Sequence, residues 1–198
     1  YGLSGRRRVG SGVGGFWQRA ERIVKQTTLL LGGARSGKSR RALLLAGHYE
    51  RRIMIATAEA GDEEMEARIA LHRAERDASW RTFDEPLDLA GAVGEAGRAV
   101  DSAPSETVIV VDCLTLWLSN LMHAGLDVDD ETRRLLQSVQ QCEADIIFIS
   151  NELGLGLVPE TKLGRDFRDA QGRLNQRFAD AADVVEFVAA GLPLRLKP

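Results

Sequence analysis

The sequence predicts an α/β domain in which a mostly parallel sheet carries helices on both faces. Three observations predict it. Short apolar runs, TTLLL at 27–31, TVIVVD at 107–112 and DIIFISN at 145–151, are separated by longer stretches of helical pattern. Strands that are apolar on both faces belong in a parallel sheet covered on both sides. Directly after the first run, GGARSGKS (Gly32–Ser39) fits G-x-x-x-x-G-K-[ST], the strand-to-helix setting of a phosphate-binding loop. Finally, 198 residues at 44% hydrophobic content suffice for one core and are short for two domains.

The elements follow in order. Residues 1–26 read as a flexible basic extension, with a short helix expected at Trp17–Gln26, and residues 27–198 as one domain. Gly10, Gly12 and Gly15 satisfy G-x-G-x-x-G, but three arginines precede them where a dinucleotide fingerprint needs an apolar strand. After the phosphate loop, a helix is expected from Ser39 to about Tyr49, and a second strand at IMIAT, 53–57. Asp62–Arg76 reads as a helix, with Met65, Ile69 and His72 at i, i+4, i+7. Leu87–Val100 is a weaker helix, since Gly91, Gly94 and Gly97 each cost about 1 kcal/mol relative to alanine. Helices follow at Leu114–Ala124 and Asp130–Glu143. Leu163–Ala182 carries Phe167, Ala170, Leu174, Phe178 and Ala181 on one face. VVEFV (184–188) and LPLRLK (192–197) close the sheet. Ligands of such a sheet bind at the carboxyl ends of its strands.

Composition excludes several classes. The net charge is −3, with +5 concentrated in residues 1–26 and −8 on the remainder. An acidic core with few aromatics argues against a nucleic-acid partner. Cys113 and Cys142 form no C-x-x-C pair and read as buried thiols. No apolar run approaches the roughly 18 residues of a membrane span, and the basic head lacks an apolar signal core. The expected location is cytoplasmic. A guanine-reading N-K-x-D is absent, the nearest text being SNEL at 150–153, which weakens a switch GTPase.

The loop residues have separable tasks. Glycines let successive N–H groups face phosphate oxygens, and the helix that follows adds its positive end. Lys38 is expected to reach the β- and γ-phosphates, and the Ser39 hydroxyl to ligate Mg²⁺. Asp112 ends the apolar strand VIVV as an acidic partner for that metal would. Of the histidines His48, His72 and His123, His72 is best placed, sharing a helix with Arg68 and lying near Arg73 and Arg76. A cationic neighbourhood favours neutral imidazole, which can attack an α-phosphate and form a phosphoramidate.

Six ordered segments, GGARSGKSR, IATAEAGDEEMEARIALHR, WRTFDEP, DCLTLWLSNL, SNELGLGLVPE and FRDAQGRLNQRFADAAD, together resemble the bifunctional adenosylcobinamide kinase / adenosylcobinamide-phosphate guanylyltransferase family of cobalamin biosynthesis. The resemblance runs from about Thr28 to Lys197. It implies a RecA-like P-loop fold, a homotrimer, and two steps. A triphosphate phosphorylates adenosylcobinamide; GTP then gives GMP to a histidine, and from there to adenosylcobinamide phosphate, yielding adenosylcobinamide-GDP. The histidine carried over is His72, with Lys38 as the other catalytic residue. Nucleotide contacts carried over are Gly32, Gly33, Ala34, Arg35, Ser36, Gly37, Lys38 and Ser39; Glu59, Ala60 and Gly61; Arg76, Asp77, Ala78 and Ser79; and Glu85 and Asp112. The implied cofactors are GTP, with ATP as an alternative kinase donor, and Mg²⁺ on Ser39 and Asp112. The runner-up reading is a simple P-loop kinase for a small molecule without a covalent guanylyl intermediate. A third is a nucleotide-gated binding protein that hydrolyses slowly.

Overall fold

The computed structural model of the chain describes residues 25–59, 61, 77–99 and 104–198. The expected histidine helix at 62–76 and the head up to residue 24 lie outside these. The strands and α-helices among the described residues are β1 (Thr27–Gly32), α1 (Lys38–Ala46), β2 (Arg51–Ala56), β3 (Trp80–Asp84), α2 (Leu89–Arg98), β4 (Thr107–Asp112), α3 (Leu114–His123), α4 (Val128–Gln141), β5 (Asp145–Asn151), α5 (Lys162–Ala181), β6 (Val184–Ala189) and β7 (Leu192–Lys197), with a 3-10 turn at Pro104–Glu106. The strands form one sheet in the order β3-β2-β4-β5-β1-β6-β7. All neighbours pair in parallel except β6 and β7, which form an antiparallel hairpin.

The central strands are apolar throughout because each face is covered. Side chains alternate across a strand, and the two sets enter separate clusters. Leu30, Met54, Val108, Val110, Ile147 and Ile149 pack with Ala42 and Ala46 of α1. Leu29, Ile53, Ile55, Ile109, Val111, Ile146 and Phe148 pack with α2, α3, α4 and α5. On that second face Trp117 is fully buried and donates its indole N–H to the Leu87 carbonyl at 2.9 Å. Phe148 and Phe178 meet edge to face, 4.8 Å between centroids.

Several boundaries differ from the sequence reading, for local reasons. α4 starts at Val128, two residues early, because the Asp127 carboxylate accepts from the N–H groups of Asp129 and Asp130. α2 starts at Leu89 because Asp88 caps it, accepting from Gly91 N at 3.2 Å. Ala181 is exposed and Ala182 takes the buried position at the end of α5. Lys25 and Gln26, the end of the expected short helix, are not helical. The Gln26 carbonyl accepts from Ile146 N at 3.0 Å, and the Lys25 ammonium caps the end of α4 at the Gln140 and Cys142 carbonyls. β3 was not anticipated: its aromatics Trp80 and Phe83 are three apart, pack on opposite faces of the sheet, and sit on an edge strand.

Candidate active site

The loop from Gly32 to Ser39 joins the carboxyl end of β1 to α1, as expected. Its shape depends on two glycines. Gly32 has φ +153°, and a Cβ there would lie 2.3 Å from the Val188 carbonyl oxygen. Gly37, the residue before α1, has φ +101°, and a Cβ there would meet Gly191 Cα at 3.0 Å. Only glycine adopts such positions without strain. The β6–β7 turn thus lies against the loop, and Gly191 N donates to the Ser36 carbonyl at 2.8 Å. Arg35, at the loop's outer bend, also has positive φ, 54°.

Lys38 is buried, and its ammonium donates to the carbonyls of Gly32 at 2.9 Å and Gly33 at 2.6 Å. Burial lowers its pKa, and the neighbouring Cys113 and Asp112 oppose that shift. Ser39 Oγ donates to Asp112 Oδ2 at 3.1 Å, so the hydroxyl and the carboxylate that the sequence reading paired do converge. After Asp112 the chain is fixed from β2: Thr57 N donates to the Asp112 carbonyl, and the Thr57 hydroxyl bonds both the N–H and the carbonyl of Cys113. The Cys113 thiol is pushed up to about 12, first by burial and then by the Asp112 charge. Both cysteines are free and buried.

The remaining nominated residues fall into three groups. Glu59 and Gly61 are exposed just beyond the carboxyl end of β2. Glu85 is at the same edge after β3, where its Oε1 accepts from the N–H groups of Leu87 and Asp88 at 3.0 and 2.8 Å. Asp77, Ala78 and Ser79 precede β3, at the opposite, amino edge of the sheet. There the Asp77 carboxylate accepts from the N–H and hydroxyl of Ser79, which hold its pKa below the ordinary carboxylate range. Ala60, Arg76 and His72 lie outside the described residues. His48 and His123 are exposed.

Sequence reasoning missed two supports of the site. One is the β6–β7 turn, signalled only by Ala190 and Gly191 between two strand-like runs. The other is a buried amide cluster behind the carboxyl end of β5. Asn175 and Gln171 of α5 are buried with Ser150. Ser150 Oγ donates to Asn175 Oδ1 at 2.7 Å, and Gln171 Nε2 bonds both at 2.9 Å. Among the described residues, no group of three metal-ligating side chains occurs, and no helix is long and apolar enough to cross a membrane.

Comparison with known proteins adds independent findings. The sequence model of the family described as cobinamide kinase / cobinamide phosphate guanyltransferase matches residues 28–196. The bifunctional adenosylcobalamin biosynthesis protein CobP of Pseudomonas aeruginosa is 47% identical over an alignment of 175 residues that covers 85% of this chain and 96% of that protein. The bifunctional adenosylcobalamin biosynthesis protein CobU of Salmonella typhimurium is 38% identical over an alignment of 184 residues that covers 85% of this chain and 98% of that one. Among solved structures, an ATPase from the type III secretion system of pathogenic bacteria superposes with a TM-score of 0.57 at 11% identity. That match covers 87% of this chain and 57% of the ATPase, and it concerns the fold alone.

Proposed function

The chain belongs to the cobinamide kinase / cobinamide phosphate guanyltransferase family, and on that premise we propose how its residues divide the two reactions. The first moves a γ-phosphoryl group to the aminopropanol hydroxyl of adenosylcobinamide. The second moves GMP from GTP to the resulting phosphate. The observation that carries the reading is the convergence of Ser39 and Asp112 beside Lys38 at the carboxyl edge.

For phosphoryl transfer the protein's work is positioning and charge stabilisation. Gly32, Gly33, Ala34, Arg35, Ser36 and Gly37 supply backbone donors to the phosphates. Lys38 exchanges its loop carbonyls for phosphate oxygens by side-chain rotation. Ser39 and Asp112 are hard oxygen donors 3.1 Å apart. Adjacent ligands of an octahedral Mg²⁺ are roughly 2.9 Å apart, given bonds of about 2.0–2.1 Å, so the pair fits that ion. When bound, Mg²⁺ neutralises charge on the β- and γ-phosphate oxygens. Glu59 and Gly61 extend the nucleotide contacts along the carboxyl edge, and Ala60 is assigned to the same contacts. Glu85, whose carboxylate also orders the start of α2, stands beside them.

For the guanylyl step, the reading assigns His72 as nucleophile. A neutral imidazole nitrogen attacks the α-phosphorus of GTP, the bond to the β-phosphate oxygen breaks, and pyrophosphate leaves. A cobinamide phosphate oxygen then attacks the phosphoramidate and frees the histidine. Arg76, Asp77, Ala78 and Ser79 are assigned to this step. ATP is an alternative donor for the first step only. A homotrimer in the cytoplasm completes the reading.

The test is covalent labelling. The protein is incubated with α-³²P-GTP and Mg²⁺, denatured, and counted. Acid-labile, base-stable label is expected in the parent and absent in His72→Ala. An unlabelled parent that still phosphorylates cobinamide would instead identify a simple kinase.

A further inference from the structure

The carboxyl end of β5 is held more firmly than any catalytic role so far assigned requires. β5 lies between β4, which ends in Asp112, and β1, which leads into the phosphate loop. Its last residue, Asn151, stands opposite Gly32 in the β1–β5 register. Both backbone groups of Asn151 are gripped by side chains from separate helices. Thr115 of α3 accepts its N–H at 2.8 Å, and Asn175 of α5 donates to its carbonyl at 3.0 Å. Asn175 is in turn fixed by Ser150 and Gln171. That network is buried, yet Gln171 Oε1 has no hydrogen-bond partner among the described residues. A partly satisfied buried network is less stable than an apolar one, and such exceptions concentrate where a site is being held.

What it holds is the direction of one side chain. Ile147 and Ile149 pack on the α1 face of the sheet. Ser150 points the other way, to α5. By the same alternation Asn151 presents its side chain on the α1 face, the face on which Asp112 meets Ser39. The Asn151 side chain is half-buried there and makes no hydrogen bond among the described residues.

We infer that Asn151 is a catalytic residue of the kinase step: its carboxamide N–H donates to a non-bridging oxygen of the γ-phosphoryl group in transit. The substrate hydroxyl oxygen attacks the γ-phosphorus. The bond to the β–γ bridging oxygen breaks, the nucleoside diphosphate leaves, and the hydroxyl proton passes to water. Charge on the γ oxygens is what a fixed donor stabilises. The inference rests on the two-step reading above and adds a residue to its first step only.

The experiment uses the full chain, cobinamide and γ-³²P-labelled triphosphate, with α-³²P-GTP labelling of the enzyme measured in parallel. Asn151→Ala is expected to lower kinase turnover about 100-fold, the effect of removing one fixed donor. The triphosphate KM should stay within about threefold, and covalent labelling should persist. Asn151→Asp keeps the shape but removes the donor and adds a charge near phosphate, so its turnover should fall at least as far. A purely structural asparagine would tolerate that isostere; parental turnover in either variant overturns the inference. Equal loss of turnover and labelling also overturns it, since the effect would then lie on the loop as a whole. A parent that fails to phosphorylate cobinamide would instead remove the kinase reading, whatever the variants do.

Discussion

Arg41 ties the helix of the phosphate loop to the opposite strand pair, and the strength of that tie can be worked out. Its guanidinium meets Glu186 of β6 through two bonds, 2.8 and 2.9 Å. Glu186 is 3% exposed, whereas Arg41 keeps 27% of its side chain in solvent. Arg195 of β7 reaches the same carboxylate at 3.4 Å. Arg41→Met removes the cation, keeps the stem, and strands a buried carboxylate. Losing one partner of a buried pair costs about 3–5 kcal/mol, and the remaining Arg195 places this case near 3. Glu186→Gln strands two cations instead, but both reach water, so about 1–2 kcal/mol is expected. The hydrogen bonds from Arg41 hold the Glu186 carboxyl below its usual range, against the effect of burial. The ionised form is therefore favoured on folding. Its contribution is complete above the unfolded value of about 4.3 and disappears as pH falls through the lower folded value. Urea unfolding at pH 7 and pH 3, with slopes compared, measures both claims. The reasoning is refuted if Glu186→Gln costs as much as Arg41→Met at pH 7, or if the gap between parent and Glu186→Gln persists unchanged at pH 3.

Two further outcomes follow from the loop and the sheet edges. Gly37→Ala forces a side chain into a left-handed position 3.0 Å from Gly191, a strain of about 1–2 kcal/mol; triphosphate Kd should rise about tenfold by titration calorimetry, and an unchanged Kd would count against this loop geometry. Asp77→Ala should leave kinase turnover at the parental level, because the Asp77 turn is at the amino edge and β3 is four strand spacings of about 4.8 Å from β1; a loss beyond threefold would show that the turn reaches the kinase site.

Much of the fold was legible because its signals are local. The short β-branched run in TVIVVD marks a strand covered on both faces, and G-x-x-x-x-G-K-S after TTLLL marks a turn and a helix start. The position of Asp112 at the carboxyl end of β4 was legible because it closes such a run. β3 was not, since an edge strand paired on one side need not be apolar, and WRTFD has no alternation. Asn175 was not legible as a buried residue, because a helix wheel marks polar residues as outward-facing. Nothing local shows that Ser150 and Gln171 wait inside to satisfy it. The β6–β7 turn was invisible as a support because its contact with Ser36 spans most of the chain. Long-range polar contacts leave no periodic trace in sequence.

The register of three strands sets where these polar groups stand relative to one another. Asp112 pairs with Ile149, and Gly32 with Asn151. Asn151 therefore stands two residues beyond the level of Asp112, about 6.6 Å farther along the strand direction. Even separation keeps both side chains on the α1 face; the offset places them at different heights above its first turn. On the proposed assignment, the deeper level would suit a metal held by Ser39 and Asp112, and the outer level the phosphoryl group beyond it. A slip of one residue between β4 and β5 would turn one of the two side chains to the α5 face. Such a slip would carry either Val111 or Phe148 out of the cluster it packs in, and the close packing of both faces opposes it. The core thus sets the spacing of the chemistry: the same packing that makes β4 and β5 apolar fixes the step between carboxylate and amide.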